Sequence, residues 1–144
     1  FMIDKSKYFW TGNSPDDIAE WLREYTEIPE LDVKPVVCHS CGANVFTIRA
    51  DRNEGAVQVT CTGCKTKKRL LDSDEIWSDC SPRSVSCRVC RERTNNVQVG
   101  FHRRANGDVK WVYIGSRCTN CGTLGSYVDW SIDYSPTADM EQNI

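Results

Sequence analysis

Four C-x-x-C pairs, turn-rich loops between alternating runs, and one stretch of helical periodicity predict a small, mostly antiparallel β protein with an N-terminal helix. The pairs take eight of the nine cysteines, at Cys38/Cys41, Cys61/Cys64, Cys87/Cys90 and Cys118/Cys121. With strands this short and few large aliphatic residues, clustered thiols rather than a large core are expected to stabilise the fold. At 144 residues the chain has room for one ordinary domain or two very small ones.

The helix is read between Ser14 and Glu27. Ser14 is a strong N-cap, Pro15 suits the first helical position, and Asp17 stands three residues after the cap, as in a capping box. Ile18, Trp21, Leu22 and Tyr25 form one apolar stripe at i, i+3, i+4 and i+7, and Pro29 sets the end. A helix of roughly three and a half turns is marginal alone. Its stripe must therefore pack on the rest of the chain or on a partner.

Asn44 to Ala50 and Ala56 to Thr60 read as short strands around the polar loop DRNEG. Asn96 to Arg104 and Val109 to Arg117 flank ANGD, whose Asn-Gly pair is a strong hairpin signal. Ser126 to Tyr134 alternates again, with Tyr127, Trp130 and Tyr134 available for packing. SPTADMEQNI has no periodicity and is expected to fray. The chain also repeats itself: CHSC, a hairpin, CTGC and a strand ending in DSDEIW are matched by CRVC, a longer hairpin, CTNC and SYVDWSIDY. The expected organisation is a helix and linker over 1–32, a first unit over 33–80, a second over 81–135, and a frayed acidic tail over 136–144.

Nineteen residues separate the two cysteine pairs in the first unit and twenty-seven in the second. A C-x-x-C turn presents two thiolates to one ion, and two such turns joined across a hairpin complete a tetrahedral four-cysteine site of the kind typical of structural zinc. Gly42 and Gly122, just after the second cysteine of a pair, permit a tight left-handed turn. Two structural zinc ions are therefore the expected cofactors. The matched hairpins favour sequential ligand sets, Cys38, Cys41, Cys61 and Cys64, then Cys87, Cys90, Cys118 and Cys121. A cross-braced arrangement would use the same eight residues.

From Cys38 to about Tyr134 the chain resembles the zinc-ribbon fold group, on C38-H-S-C41 with C61-T-G-C64 and C87-R-V-C90 with C118-T-N-C121. The resemblance implies two tandem zinc ribbons, which with the helix over 14–27 make an N-terminal helix followed by two ribbons, and it says little about function, since ribbons serve in transcription, translation, enzyme lids and adaptors. The ribbons of transcription elongation factors that stimulate nucleic-acid cleavage carry adjacent Asp-Glu at the hairpin tip. Here the tip is Asp51-Arg-Asn-Glu54, and the acidic pair is split.

Closed thiolate sets leave no open metal position for catalysis. His39, inside a C-x-x-C turn, and His102, on a strand, are read as exposed or packed side chains rather than ligands or bases, and Cys80 as a free thiol. No catalytic residue and no small-molecule substrate are expected.

The formal net charge of −2 disfavours a general nucleic-acid protein. Residues 33–128 carry fifteen basic against eight acidic side chains, whereas 1–32 carry three against eight and 129–144 none against four. Two zinc ions, each held by four thiolates, would add a further −4. Lys65, Lys67, Lys68, Arg69, Arg103 and Arg104 are the candidate phosphate contacts, with Arg88, Arg91 and Arg93 able to extend the patch. Compensation of thiolate charge on solvated strands accounts for them more simply. No apolar run approaches the roughly 18 residues that span a bilayer, and FMIDKSKYFW lacks a basic region followed by an apolar one. Paired thiols without an export signal suit a reducing compartment, so cytoplasm is expected. The leading functional expectation is a non-enzymatic protein-binding module, an adaptor, inhibitor or immunity-type antidote, with the Trp21 face of the helix as a candidate contact. A nucleic-acid-binding or transcription-associated protein is the alternative, and iron/thiolate redox use the remote one.

Overall fold

A computed structural model describes residues 3–144; Phe1 and Met2, at the head of the 1–32 segment, lie outside the described residues. Helix α1 spans Asp17–Thr26 and ends at Glu27 in a left-handed conformation, two residues before Pro29. The N-cap is Asp16 rather than Ser14; Ser14 and Pro15 lie in the turn before it, and their carbonyls accept the N–H groups of Asp17 and Ile18 at 3.0 and 3.1 Å. Only the return half of the capping box forms: the Asp17 carboxylate accepts the N–H groups of Asn13 and Ser14 at 2.7 and 3.2 Å. The Ser14 hydroxyl instead accepts the Asp16 N–H.

A two-stranded hairpin, β1 (Ile3–Asp4) with β2 (Thr11–Gly12), precedes the helix. The main sheet contains β3 (Asp32–Pro35), β4 (Phe46–Asp51), β5 (Ala56–Cys61), β6 (Lys67–Arg69), β7 (Arg83–Ser84), β8 (Asn95–Arg103), β9 (Val109–Cys118) and β10 (Leu124–Ser131), every pair antiparallel. The repeat seen in the sequence is a repeat of register. Thr60 faces Lys67 across β5–β6, and Arg117 faces Leu124 across β9–β10, each pair at the same distance from the cysteines of its unit.

The two units exchange their leading strands. β3 stands before the first cysteine pair yet pairs with β8 of the second unit, and β7 stands before the third pair yet pairs with β4 of the first. Pro35 faces Gln98 and Ser84 faces Arg49, which are equivalent partners in the two repeats. The Val36 N–H donates to the Val97 carbonyl at 3.0 Å, and the Val85 N–H to the Ile48 carbonyl at 2.9 Å, again equivalent bonds. β4 and β8 pair in register only where Phe46 meets Asn95, the same position in each unit. The repeats are thus related by a local two-fold through that pair, and each completes the sheet of the other.

One core joins them, with Ile48, Val57 and Val59 from the first unit packed among Val97, Val99, Val112, Ile114 and Val128 from the second. On the opposite face of β8–β10 lies α1, which buries Ile18 and Leu22 with Leu31 and Leu124. Two glycines seat it. A Cβ on Gly115 would stand 2.7 Å from both Ile18 and Leu22, and one on Gly100 would stand 2.7 Å from Leu31. The apolar stripe therefore divides: Ile18 and Leu22 go inward, while Trp21 and Tyr25 stack on each other at the margin, ring centroids 4.7 Å apart.

Three expectations need correction. DSDEIW is not a strand but a turn of helix, α2 (Ser73–Ile76), running into a 3-10 turn over Trp77–Asp79. Leu71 takes a left-handed conformation that ends β6, and buried Ser73 accepts the Val57 N–H at 2.9 Å, which pins the turn to the sheet. The last strand stops at Ser131, and Tyr134 lies beyond it, donating its hydroxyl to Asp72 at 2.8 Å. The tail does not fray: Ala138–Glu141 form α3, Met140 is buried, and Thr137 accepts the Val109 N–H at 2.9 Å. One apolar anchor and a set of side-chain hydrogen bonds order it, which requires no periodic pattern. No helix among the described residues is long and apolar enough to cross a membrane.

The glycine seat gives a direct test. Gly115→Ala forces a methyl group into Ile18 and Leu22, and overpacking of this kind costs about 1–3 kcal/mol. Urea unfolding should show a midpoint lowered accordingly, with an unchanged slope. An unaltered midpoint would mean that the helix does not rest on the sheet as described.

Candidate metal centres

Each C-x-x-C turn is built the same way. The residue after the second cysteine donates its N–H to the carbonyl of the first: Gly42 to Cys38, Lys65 to Cys61, Arg91 to Cys87 and Gly122 to Cys118, at 2.7–3.0 Å. The first cysteine in turn donates to the carbonyl five residues on, at Ala43, Thr66, Glu92 and Thr123. This pair of hydrogen bonds requires a left-handed residue after the second cysteine, and all four turns have one, with φ of +77°, +66°, +70° and +80° in chain order. Sequence reasoning found the two glycines and missed Lys65 and Arg91, because a non-glycine in that conformation leaves no compositional mark.

The hairpins bring the turns together in sequence order. Cys38, Cys41, Cys61 and Cys64 form one group and Cys87, Cys90, Cys118 and Cys121 the other, the sulfurs of each lying within 4.8 Å of one another. The shortest separations, Cys38–Cys64, Cys41–Cys61, Cys87–Cys121 and Cys90–Cys118, are all 3.5 Å. Sulfurs tetrahedral about one ion at about 2.3 Å would stand about 3.8 Å apart, so both groups fit a single four-coordinate ion that prefers thiolates. The sequential sets stand together, and the cross-braced alternative does not.

The surroundings favour ionised sulfur at several positions. The Thr66 hydroxyl and N–H push Cys64 down to about 6, and the Asn120 side chain with the Glu92 N–H does the same for Cys90. The Cys64 N–H, followed by that of Gly63, lowers Cys61 against the effect of its burial. Other members are held the opposite way. The Ala43 N–H favours the thiolate of Cys41, but the sulfurs of Cys61 and Cys64 outweigh it and push the thiol up to about 12; burial first, then its sulfur neighbours, push Cys118 up to about 12. Four crowded thiolates repel one another, and a bound dication resolves that conflict. The two groups differ in access: Cys41 and Cys64 are exposed, whereas Cys90 and Cys121 are half-buried.

The candidate phosphate contacts do not form one free patch. Arg69 pairs with Asp74 at 2.6 Å, and Arg103 with Asp32 and Glu141 at 2.7 and 2.9 Å. Arg104 donates to the Ile132 carbonyl and Lys68 to that of Ile144. Only Lys65 and Lys67 of the six are exposed without such a partner among the described residues. His39 is bonded through Nε2 to the Ile144 carbonyl at 2.8 Å, so the first turn also holds the tail. Cys80 stands apart from both groups, its thiol pushed up by burial and by Asp51, Glu54 and Asp79.

The turn geometry orders a set of substitutions. A Cβ at Gly42 meets nothing, so Gly42→Ala costs only its left-handed conformation, about 1–2 kcal/mol. At Gly122 the same methyl would stand 2.7 Å from the Gly12 carbonyl oxygen, so Gly122→Ala costs more. Lys65→Gly and Arg91→Gly should be neutral or stabilising. Thermal melts of the four metal-loaded variants check this order, and equal losses at Gly42 and Gly122 would contradict it.

The chain matches no family model, and no curated protein or solved structure is significantly similar to it. Its functional reading rests on the two four-cysteine sites, which can hold metal ions, and on the surface around them.

Proposed function

We propose that this chain is a non-enzymatic protein-binding module, built as two interlocked zinc-ribbon units on two structural zinc ions. The donor chemistry supports zinc: four thiolates per site fill a tetrahedral shell, a set that this ion favours and that leaves no position for a substrate or water. Tandem ribbons are the arrangement that best fits the repeated turns and hairpins.

The observation that carries the binding reading is how the charged and aromatic side chains are disposed. Four of the six basic candidates are already engaged by carboxylates or carbonyls of this chain, while Tyr8, Tyr25, Val89 and Trp111 remain exposed. Engaged guanidinium groups make poor phosphate ligands, and exposed aromatic groups are what protein interfaces enrich. An adaptor, inhibitor or immunity-type role fits such a surface. Lys65 and Lys67, with exposed Arg91 and Arg93 beside the second site, are what remains for a nucleic-acid reading.

Purification of the tagged protein from its native cell, with nuclease and raised salt, should retain a stoichiometric protein partner. The protein should be colourless and carry two equivalents of zinc. In a parallel purification at low salt without nuclease, recovery of nucleic acid alone, with affinity falling steeply as salt rises, would overturn the binding reading. Visible absorption from bound iron would overturn the metal assignment.

A further inference from the structure

Helix α1 covers only part of the outer face of β8–β10. Where it stops, Trp111 and Tyr113 stand on β9 with ring centroids 6.5 Å apart. Tyr113 and the helix ring of Trp21 pack against the same cluster of Ile18, Leu22, Leu31 and Leu124. Tyr25 in turn stacks on Trp21 at 4.7 Å. Four rings thus run from the strand to the helix, with Tyr25 57 % and Trp111 36 % exposed.

Two features say what this surface is suited to receive. First, five of the nine other described rings carry cations of their own, Tyr8, Phe46, Trp130 and Tyr134 being the exceptions. Lys5 lies over Trp10 at 4.8 Å, Arg69 over Trp77 at 5.2 Å, Arg88 over Tyr127 at 4.8 Å and over Phe9 at 5.8 Å, and Arg103 over Phe101 at 5.5 Å. Among the described residues, none of the four rings on this face has such a partner. Second, the charge around them is negative. Asp129 faces Tyr113 in register and accepts the Trp111 indole N–H at 2.9 Å. The helix adds Glu20, and Glu27 follows it; Glu24 is paired with Lys5 at 2.9 Å, and Arg23 is turned onto the Leu31 carbonyl at 3.1 Å. Electron-rich rings beside carboxylates attract guanidinium and ammonium groups and repel phosphate.

We propose that the face formed by Trp21, Tyr25, Trp111, Tyr113 and Asp129 is where this chain docks its partner, and that the partner is a protein presenting arginine or lysine side chains to it. Each cation would lie over a ring, with Asp129 as counter-charge. This rests on the protein-binding reading and adds to it the surface and the chemistry of the partner.

The test uses the full, zinc-loaded chain and a nine-residue oligoarginine peptide, with oligoglutamate of the same length as the reverse-charge control, followed by proton–nitrogen NMR. Oligoarginine should shift the Trp111 indole N–H and the amides of Tyr25, Tyr113 and Asp129, and oligoglutamate should not. The Trp111→Ala/Tyr25→Ala double variant should weaken binding at least tenfold and Asp129→Asn severalfold, with the dispersed spectrum of the fold retained. Shifts confined to other residues, or affinity unchanged in both variants, overturn the proposal. A photo-crosslinking residue placed at Tyr25, and separately at Arg52 on the β4–β5 tip, then distinguishes the two levels in the native cell. Capture of a partner protein whose linked segment is basic at Tyr25, and not at Arg52, supports the face. Capture at Arg52 alone overturns the face and leaves the protein-binding reading standing, whereas capture at neither position overturns both.

Discussion

Closure of four sulfurs across a hairpin fixes almost everything else in this molecule. Cys61 ends β5 opposite Phe46 on β4, and Cys118 ends β9 opposite Asn95 on β8, so the ladder between two turns sets where their thiolates meet. A slip of one residue would turn the side chains of a strand to the other face, taking the cysteine away from its group and the valines away from the core together. Cysteine grouping and core thus select the same register, although the hairpins differ in length.

That closure also explains why the repeats cannot be read as beads on a string. The strand entering each first turn has its free edge against the other unit, because the turn directs it there: Val36 and Val85 each lie two residues before a cysteine, and each donates across to the opposite repeat. The C-terminal segment adds a third tie. Arg103 of the second unit pairs with Glu141, Asn143 donates to the Leu71 carbonyl in the first unit at 2.8 Å, and His39 and Lys68 hold the Ile144 carbonyl. Exchange of this kind removes two free strand edges, which would otherwise invite pairing with other chains. It also leaves Trp111 on the outer face of β8–β10 and Tyr25 on the helix beside it exposed.

Local chemistry was legible from the amino-acid order, and long-range pairing was not. The cysteine turns, the Asn-Gly hairpin and α1 with its stop before Pro29 depend on residues within a few positions of each other, and all were readable. β3 and β7 are only four and two residues long, and their partners lie far away in sequence, so DVKP and RS carry no strand pattern of their own. The basic residues show the same limit. KTKKR reads as a cationic run, but Asp74 and the tail's carbonyl, which engage Arg69 and Lys68, become visible only in three dimensions. Ile18, Trp21, Leu22 and Tyr25 likewise form one stripe in sequence. Gly100 and Gly115, more than seventy residues away, seat Ile18 and Leu22 in the core, while Trp21 is half-buried against it and Tyr25 is exposed.

The central claim is that each metal centre supports both repeats through the exchanged strands. Residue-resolved amide exchange on the Cys61→Ser/Cys64→Ser variant, loaded with the one ion its second site can hold, tests it most directly. The Val85 N–H and the amides of β8 that face β3 should lose protection along with the first unit, despite an intact second site. Full protection of those amides beside an unfolded first unit would contradict the account and make the two units independent.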